Sequence, residues 1–184
     1  MITLAVTVGL AFVGCVATYL NGVRLSQRQE RLARVHRQLG DFYGPLLALT
    51  EADSRTFGAF MTRHARPGGT SPFAAADSPP TAEELAEWRL WITTVFLPNI
   101  RAMRDLVIAH ADLLSEPEMP PLLLDLCAHV SGYEITAARW AQGRHDQHLS
   151  VVPFPSEDLA AYARREFTAL KKEQARLPGR RQGA

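Results

Sequence analysis

The chain has 184 residues, of which 47% are hydrophobic and 21% charged, and its net charge is +1 at neutral pH. That composition excludes a mostly disordered, collagen-like or fibrous protein, and the length accommodates one domain of common size. Two cysteines cannot supply a disulfide scaffold.

No charged side chain occurs from Met1 to Val23. At a rise of 1.5 Å per residue such a stretch makes roughly 34 Å of helix, enough to cross a hydrocarbon core of roughly 30 Å. Ile2, Leu4, Val6, Val8, Leu10, Phe12, Val13, Val16 and Leu20 supply apolar surface, and Tyr19 and Asn21 suit the headgroup layer at the downstream end. A cleaved signal peptide is disfavoured because no basic side chain precedes the run. A lipoprotein signal at Cys15 is disfavoured further by the bulk of Phe12. A buried core helix is the bland alternative, but so long an uncharged stretch is hard to hide in a small domain. A retained transmembrane helix over 1–23 is therefore the preferred expectation. Arg24, Arg28, Arg31, Arg34 and Arg37 follow at once, offset only by Glu30. Arginines flanking a membrane helix stay in the cytoplasm, so the expectation is a single-pass inner-membrane protein with its amino terminus outside. Cys127 would then sit as a buried thiol in a reducing compartment, and Cys15 within the bilayer.

Charge is uneven along the chain. Residues 1–40 carry net +4, residues 41–155 net −6 and residues 156–184 net +3. Both basic ends could touch an anionic leaflet, which makes the five arginines lipid-contact candidates. Setting topology explains them equally well. The acidic middle disfavours a nucleic-acid partner.

Strand signals are scarce and helical periodicity dominates. Residues 24–40 read as a basic juxtamembrane helix or stalk. Leu25, Leu32, Val35, Leu39, Phe42, Leu46 and Leu49 follow a 4-3 spacing with Arg28 at the missed position. The run suits either pairing with a second copy or packing on its own domain. Gly44-Pro45 should kink the helix or start a new one. Leu46, Leu49, Asp53, Phe57, Phe60, Met61 and His64 continue, and a flexible loop is expected at 66–80. Thr81 and Glu84 form a capping-box start. Leu85, Trp88, Ile92, Val95 and Phe96 make one stripe, interrupted at Pro98, and Ile100, Met103 and Val107 another. Leu123, Leu126, Val130, Tyr133 and Trp140 stripe a further helix that Gly143 can end. After a polar loop from Arg144 to Pro155, Ser156 should cap a last helix with Glu157 and Asp158 in its first turn. A short basic tail covers 177–184. The expected fold is all-α: an N-terminal transmembrane helix followed by a four- to five-helix cytoplasmic bundle over 41–176.

Candidate chemistry is thin. His145-Asp146 echoes the dyad of helical phosphohydrolases, but it lies in a polar loop, and solvated side chains explain it better. Asp125 and His129, four apart on a helix, are the metal-ligand candidates; a histidine bonded to a carboxylate is the commoner outcome of that spacing. Trp88, Trp91, Tyr133 and Trp140 are candidates for an apolar pocket, although at helical spacing such residues more often fill a core. Arg101 and Arg104, one turn apart, could grip an anion. No P-loop, G-x-G-x-x-G, G-x-S-x-G, C-x-x-C, H-E-x-x-H or Glu-x-x-His motif occurs. No catalytic residue and no cofactor is expected.

The segment Gln38-Leu39-Gly40-Asp41-Phe42-Tyr43-Gly44-Pro45-Leu46 resembles one found in a scattered group of small bacterial single-pass membrane proteins. These have an N-terminal helix, then a leucine, an aromatic pair and Gly-Pro-Leu, then a helical domain. The resemblance covers this layout and about nine residues, and it implies a membrane-tethered helical domain without implying an activity. Phe42 and Tyr43 could wedge the membrane-proximal end, with Gly44-Pro45 setting the angle of the stalk. The functional expectation is a membrane-anchored helical interaction module that binds a protein partner or a second copy of itself. The alternatives are a small-ligand or metal-binding sensor or hydrolase with a pocket between the aromatic helices, and a lipid-surface protein.

Overall fold

A computed structural model of the chain describes residues 2–66 and 79–177, with side chains from Gly14 onward. Most of the loop expected at 66–80, and the tail beyond Leu177, lie outside the described residues. Among the described residues six α-helices occur: α1 (Ile2–Arg37), α2 (Gly44–His64), α3 (Ala82–Trp91), α4 (Leu97–Ala109), α5 (Pro121–Ala141) and α6 (Ser156–Arg176). No strand occurs among the described residues, so the all-α expectation holds.

The prolines at 45 and 98 do not break the chain. A π-helical turn, Gln38–Tyr43, joins α1 to α2, and a second, Ile92–Phe96, joins α3 to α4. Proline lacks an N–H and its ring meets the carbonyl of the turn before it. Widening that turn relieves both problems and lets the helical run continue. Each π-turn ends two residues before its proline, so the helix restarts with proline in its first turn, where the missing donor is tolerated. The Gly44 N–H closes the first π-turn onto the Leu39 carbonyl. A Cβ at position 44 would run into that same carbonyl, which accounts for glycine there.

Other ends follow local chemistry. Thr81 and Glu84 form the expected capping box, with Thr81 N–H 2.7 Å from the Glu84 carboxylate and Glu84 N–H 3.2 Å from Thr81 Oγ1. Gly143 follows the end of α5 at φ +76°, a conformation glycine adopts without strain. The expected Ser156 cap is not formed: Pro155 occupies the cap position and Ser156 is already helical, so its hydroxyl comes too late in the chain.

Helix α2 packs on α4 and α6, α4 on α5, and α5 on α6, closing a four-membered bundle. Contacts of Asp53 with Asn99 and of Phe60 with Trp88 set α2 antiparallel to α4–α3. Contacts of Tyr43 with Tyr162 and Arg31 with Glu173 set α6 antiparallel to α1–α2. The core is led by Phe42, Tyr43, Leu46, Phe60, Met103, Leu123, Leu126, Val130 and Leu159. Each such side chain contributes about 1.5–3 kcal/mol by leaving water. Phe42 and Tyr43 are wholly buried, so they are part of this core and not a wedge at its edge.

Helix α1 runs unbroken through the boundary expected at residues 23 and 24. It leaves the bundle at the end formed by the α4–α5 connection and the C-terminal half of α6. There the Arg34 guanidinium donates to the carbonyls of Asp112 and Leu114 at 3.3 and 3.4 Å, and Gln38 Nε2 donates to the Leu113 carbonyl at 2.8 Å. Among the described residues no helix is long and apolar enough to cross a membrane. The side chains of residues 1–13, more than half of the expected span, lie outside the described residues.

Candidate functional sites

Two arrangements of buried polar groups lie between the helices, apart from the bonds of Gln38 and His129 to backbone carbonyls. The first links three segments distant in sequence. The Ser115 N–H donates to the Tyr43 hydroxyl at 3.0 Å, the Tyr43 and Tyr162 hydroxyls lie 3.2 Å apart, and Tyr162 donates to the Glu116 carboxylate at 3.1 Å. Donation from amide to Tyr43 to Tyr162 to Glu116 leaves every group in the chain satisfied. The Arg165 guanidinium covers the Tyr162 ring at 5.2 Å and approaches Glu116 at 3.9 Å. Burial, then the Tyr43 hydroxyl, holds the Tyr162 phenol far above its ordinary range. Both properties fit a clasp between the first π-turn, the α4–α5 connection and α6.

The second is Asp53, which is 8% exposed on α2 and faces α4. Asn99 Nδ2 donates to its Oδ1 at 3.4 Å. Burial pushes this carboxyl up from 3.8 to about 6, and the Asn99 bond only partly opposes the shift.

The candidates read from the sequence are placed as follows. Asp125 lies exposed on α5. His129, one turn on, is buried, with Nδ1 2.6 Å from the Val152 carbonyl and its ring against Tyr133 and Phe154. Because a carbonyl only accepts, Nδ1 carries the proton. Burial holds the imidazole below its ordinary range against the pull of Val152. Among the described residues no three His, Cys, Asp or Glu side chains gather to hold a metal ion.

The four aromatic candidates act largely as pegs. Trp88 and Trp91 pack with Phe60 and Phe96, and Trp88 Nε1 donates to the His148 carbonyl at 2.9 Å. Trp140 Nε1 donates to the neighbouring Gln147 carbonyl at 2.7 Å. Tyr133 is bonded to the backbone at Ser150, and Ser150 Oγ donates to the His129 carbonyl at 3.1 Å. The α5–α6 loop is thus pinned by Trp88, His129, Tyr133 and Trp140 together. His145 and Asp146 are exposed in that loop. Arg101 and Arg104 both grip Glu134 of their own chain, at 3.1 and 2.9 Å. Cys127 is half-buried, with its thiol pushed up by burial.

All five arginines that follow the uncharged stretch are exposed. Arg31 pairs with Glu173 of α6, and Arg34 is bound to the α4–α5 connection. Arg24, Arg28 and Arg37 make no ion pair among the described residues. A surface absent from the sequence reading also emerges. Leu124, Ala128, Ile135 and Ala138 share the outer face of α5, and Ile108 lies exposed on the adjoining α4. The large members are 55% (Leu124), 59% (Ile135) and 67% (Ile108) exposed. The signal was present as an apolar residue at positions 124, 128, 135 and 138, on the side of α5 opposite Leu126, Val130 and Tyr133.

The fold and its buried clasp define a helical bundle extended by a long N-terminal helix. No protein-family model, no curated protein and no solved structure matches this chain.

Proposed function

We propose that this protein is a membrane-anchored cytoplasmic module that associates with a second copy of itself through the outer face of α4 and α5. The observation that carries the reading is the exposed group Ile108, Leu124 and Ile135 on a bundle joined without a break to an uncharged N-terminal stretch. Large apolar side chains clustered on a surface mark association sites. The small side chains on the same face, Ala128 and Ser131 between Leu124 and Ile135 and Ala138 one turn beyond, allow another helix to approach closely. Charges of both signs border the face, Arg101 and Asp105 on α4 and Asp125 on α5, and a face that carries both signs suits pairing with its own twofold mate. Tethering supports the same choice, because copies anchored in one membrane share orientation and a raised local concentration. The arginines that follow residue 23 favour a cytoplasmic bundle.

The test uses the full chain in lipid vesicles. With Cys15→Ala and Cys127→Ala in place, a cysteine at Ile135 should form a disulfide-linked dimer under mild oxidation, whereas one at exposed Ala161 on α6 should not. Ile135→Glu should abolish cross-linking from a cysteine at Leu124. Strictly monomeric protein in vesicles would overturn the self-association, failure to float with the vesicles would overturn the anchor, and a carboxyl-terminal reporter active only outside the cytoplasm would overturn the orientation.

A further inference from the structure

We propose that the C-terminal end of α6 joins the arginines of α1 in one surface that binds the anionic headgroups of the membrane. This rests on the anchor reading for its geometry but on different residues for its chemistry. The two basic ends of the chain are far apart in sequence, and the fold brings them together: α6 runs antiparallel to α1, and Glu173 pairs with Arg31. Leu170 and Val35 are buried in the common core, so the two helices are held in register by packing as well as charge.

The register sets the height of each group. Arg31 lies eight residues beyond Val23, about 12 Å along the helix from the end of the uncharged stretch. Arg176 lies three residues past Glu173 on the antiparallel helix, hence about 4–5 Å nearer the membrane. That leaves roughly 7–8 Å, within the Debye length of about 8 Å at physiological salt. Lys171 and Lys172 stand slightly further back on long side chains. The one acidic group at this end of α6, Glu173, is neutralised by Arg31. Among the described residues Lys171 bonds only to the neutral Gln174, at 2.9 Å, and Lys172 and Arg176 have no ion pair. Arg24 and Arg28 extend the same surface toward the membrane.

Between the two helices lies a shallow concavity lined by Arg31, Ala169, Glu173, Arg176 and Leu177. With Arg31 held by Glu173, the Arg176 guanidinium beside Leu177 is the group that suits a lipid phosphate with the start of its acyl chain. Asp112 of the α4–α5 connection stands at this same end, beside Arg34, while Glu116 lies farther back beside Tyr162; the net −6 of residues 41–155 as a whole still favours the basic groups nearest the membrane. An anionic leaflet is therefore the partner that fits, and the expected consequence is a bundle held upright on its membrane.

The experiment places an environment-sensitive fluorophore on a cysteine at exposed Ala175, in the full chain with Cys15→Ala and Cys127→Ala. Vesicles of phosphatidylcholine alone are compared with vesicles containing one third phosphatidylglycerol, both with quencher attached near the headgroups. Quenching should appear with the anionic vesicles and disappear in high salt. Lys171→Gln, Lys172→Gln and Arg176→Gln together should weaken the contact roughly a hundredfold, each charge contributing about fivefold. The charge-matched change of Arg55, Arg63 and Arg144 to Gln should leave it intact. Flotation with both vesicle types but identical quenching would overturn this proposal and leave the anchor standing. Flotation and quenching on anionic vesicles alone would support the surface while removing the anchor, and flotation on neither would overturn both.

Discussion

Asp53→Asn should stabilise the protein at neutral and alkaline pH. The carboxyl titrates near 6 in the folded chain against 3.8 for its ordinary value, because burial disfavours the anion and the 3.4 Å bond from Asn99 does not compensate. The folded state therefore binds more protons than the unfolded state between those values, and stability falls as pH rises through that window. Above pH 6 the penalty is complete. The difference between 3.8 and about 6, at 1.36 kcal/mol per pH unit, makes it roughly 3 kcal/mol. Asparagine has nearly the same shape, carries no charge and still offers an acceptor to Asn99. For a chain of this size the gain corresponds to roughly 6–12 °C in the unfolding midpoint. Thermal unfolding of the full chain in detergent, followed by circular dichroism, should show that difference at pH 8. It should be much smaller at pH 4 and vanish toward pH 3, where the wild-type carboxyl is protonated in both states. An equal or lower midpoint for the variant at pH 8, or a gain independent of pH, would refute the account of Asp53 as a buried, desolvated acid.

Gly44→Ala should destabilise the bundle by about 1–3 kcal/mol, since the new methyl meets the Leu39 carbonyl that closes the π-turn; urea unfolding measures it. Tyr162→Phe should cost about 1–2 kcal/mol, and Tyr43→Phe more, because it orphans the Ser115 N–H; a double-mutant cycle should show the two losses to be less than additive if they share one clasp. His129, held below its ordinary range, stabilises the fold above pH 6.5 and loses that contribution as pH falls through its lowered folded value. Its Nδ1 proton resonance should persist through mild acidification and vanish together with the native loop signals. Zinc or manganese should produce no stabilisation that His129→Ala removes, and such an effect, seen by thermal shift, would favour the metal-sensor reading over the interaction module.

Local order was legible in the amino-acid sequence because it depends on neighbours a few positions apart. The apolar stripes of α2 to α6 mark helices through their 3.6-residue period, Thr81 and Glu84 meet within one turn, and Gly143 ends α5 by adopting a conformation other residues avoid. The basic residues after the uncharged stretch, and the acidic middle of the chain, were equally plain. Tertiary structure decided the rest. Proline at 45 and 98 signals trouble for a helix, but whether the chain breaks, kinks or widens into a π-turn depends on which choice keeps Phe42, Tyr43, Ile92 and Phe96 in the core. Asp53 sits in an apolar stripe that does not reveal whether its face meets water or α4. Tyr43 and Tyr162 are 119 residues apart, and Arg31 and Glu173 are 142 apart. No local pattern can specify such meetings, because they arise from the packing of whole helices, and that same packing determines which arginines remain unpaired and which apolar side chains are left facing outward.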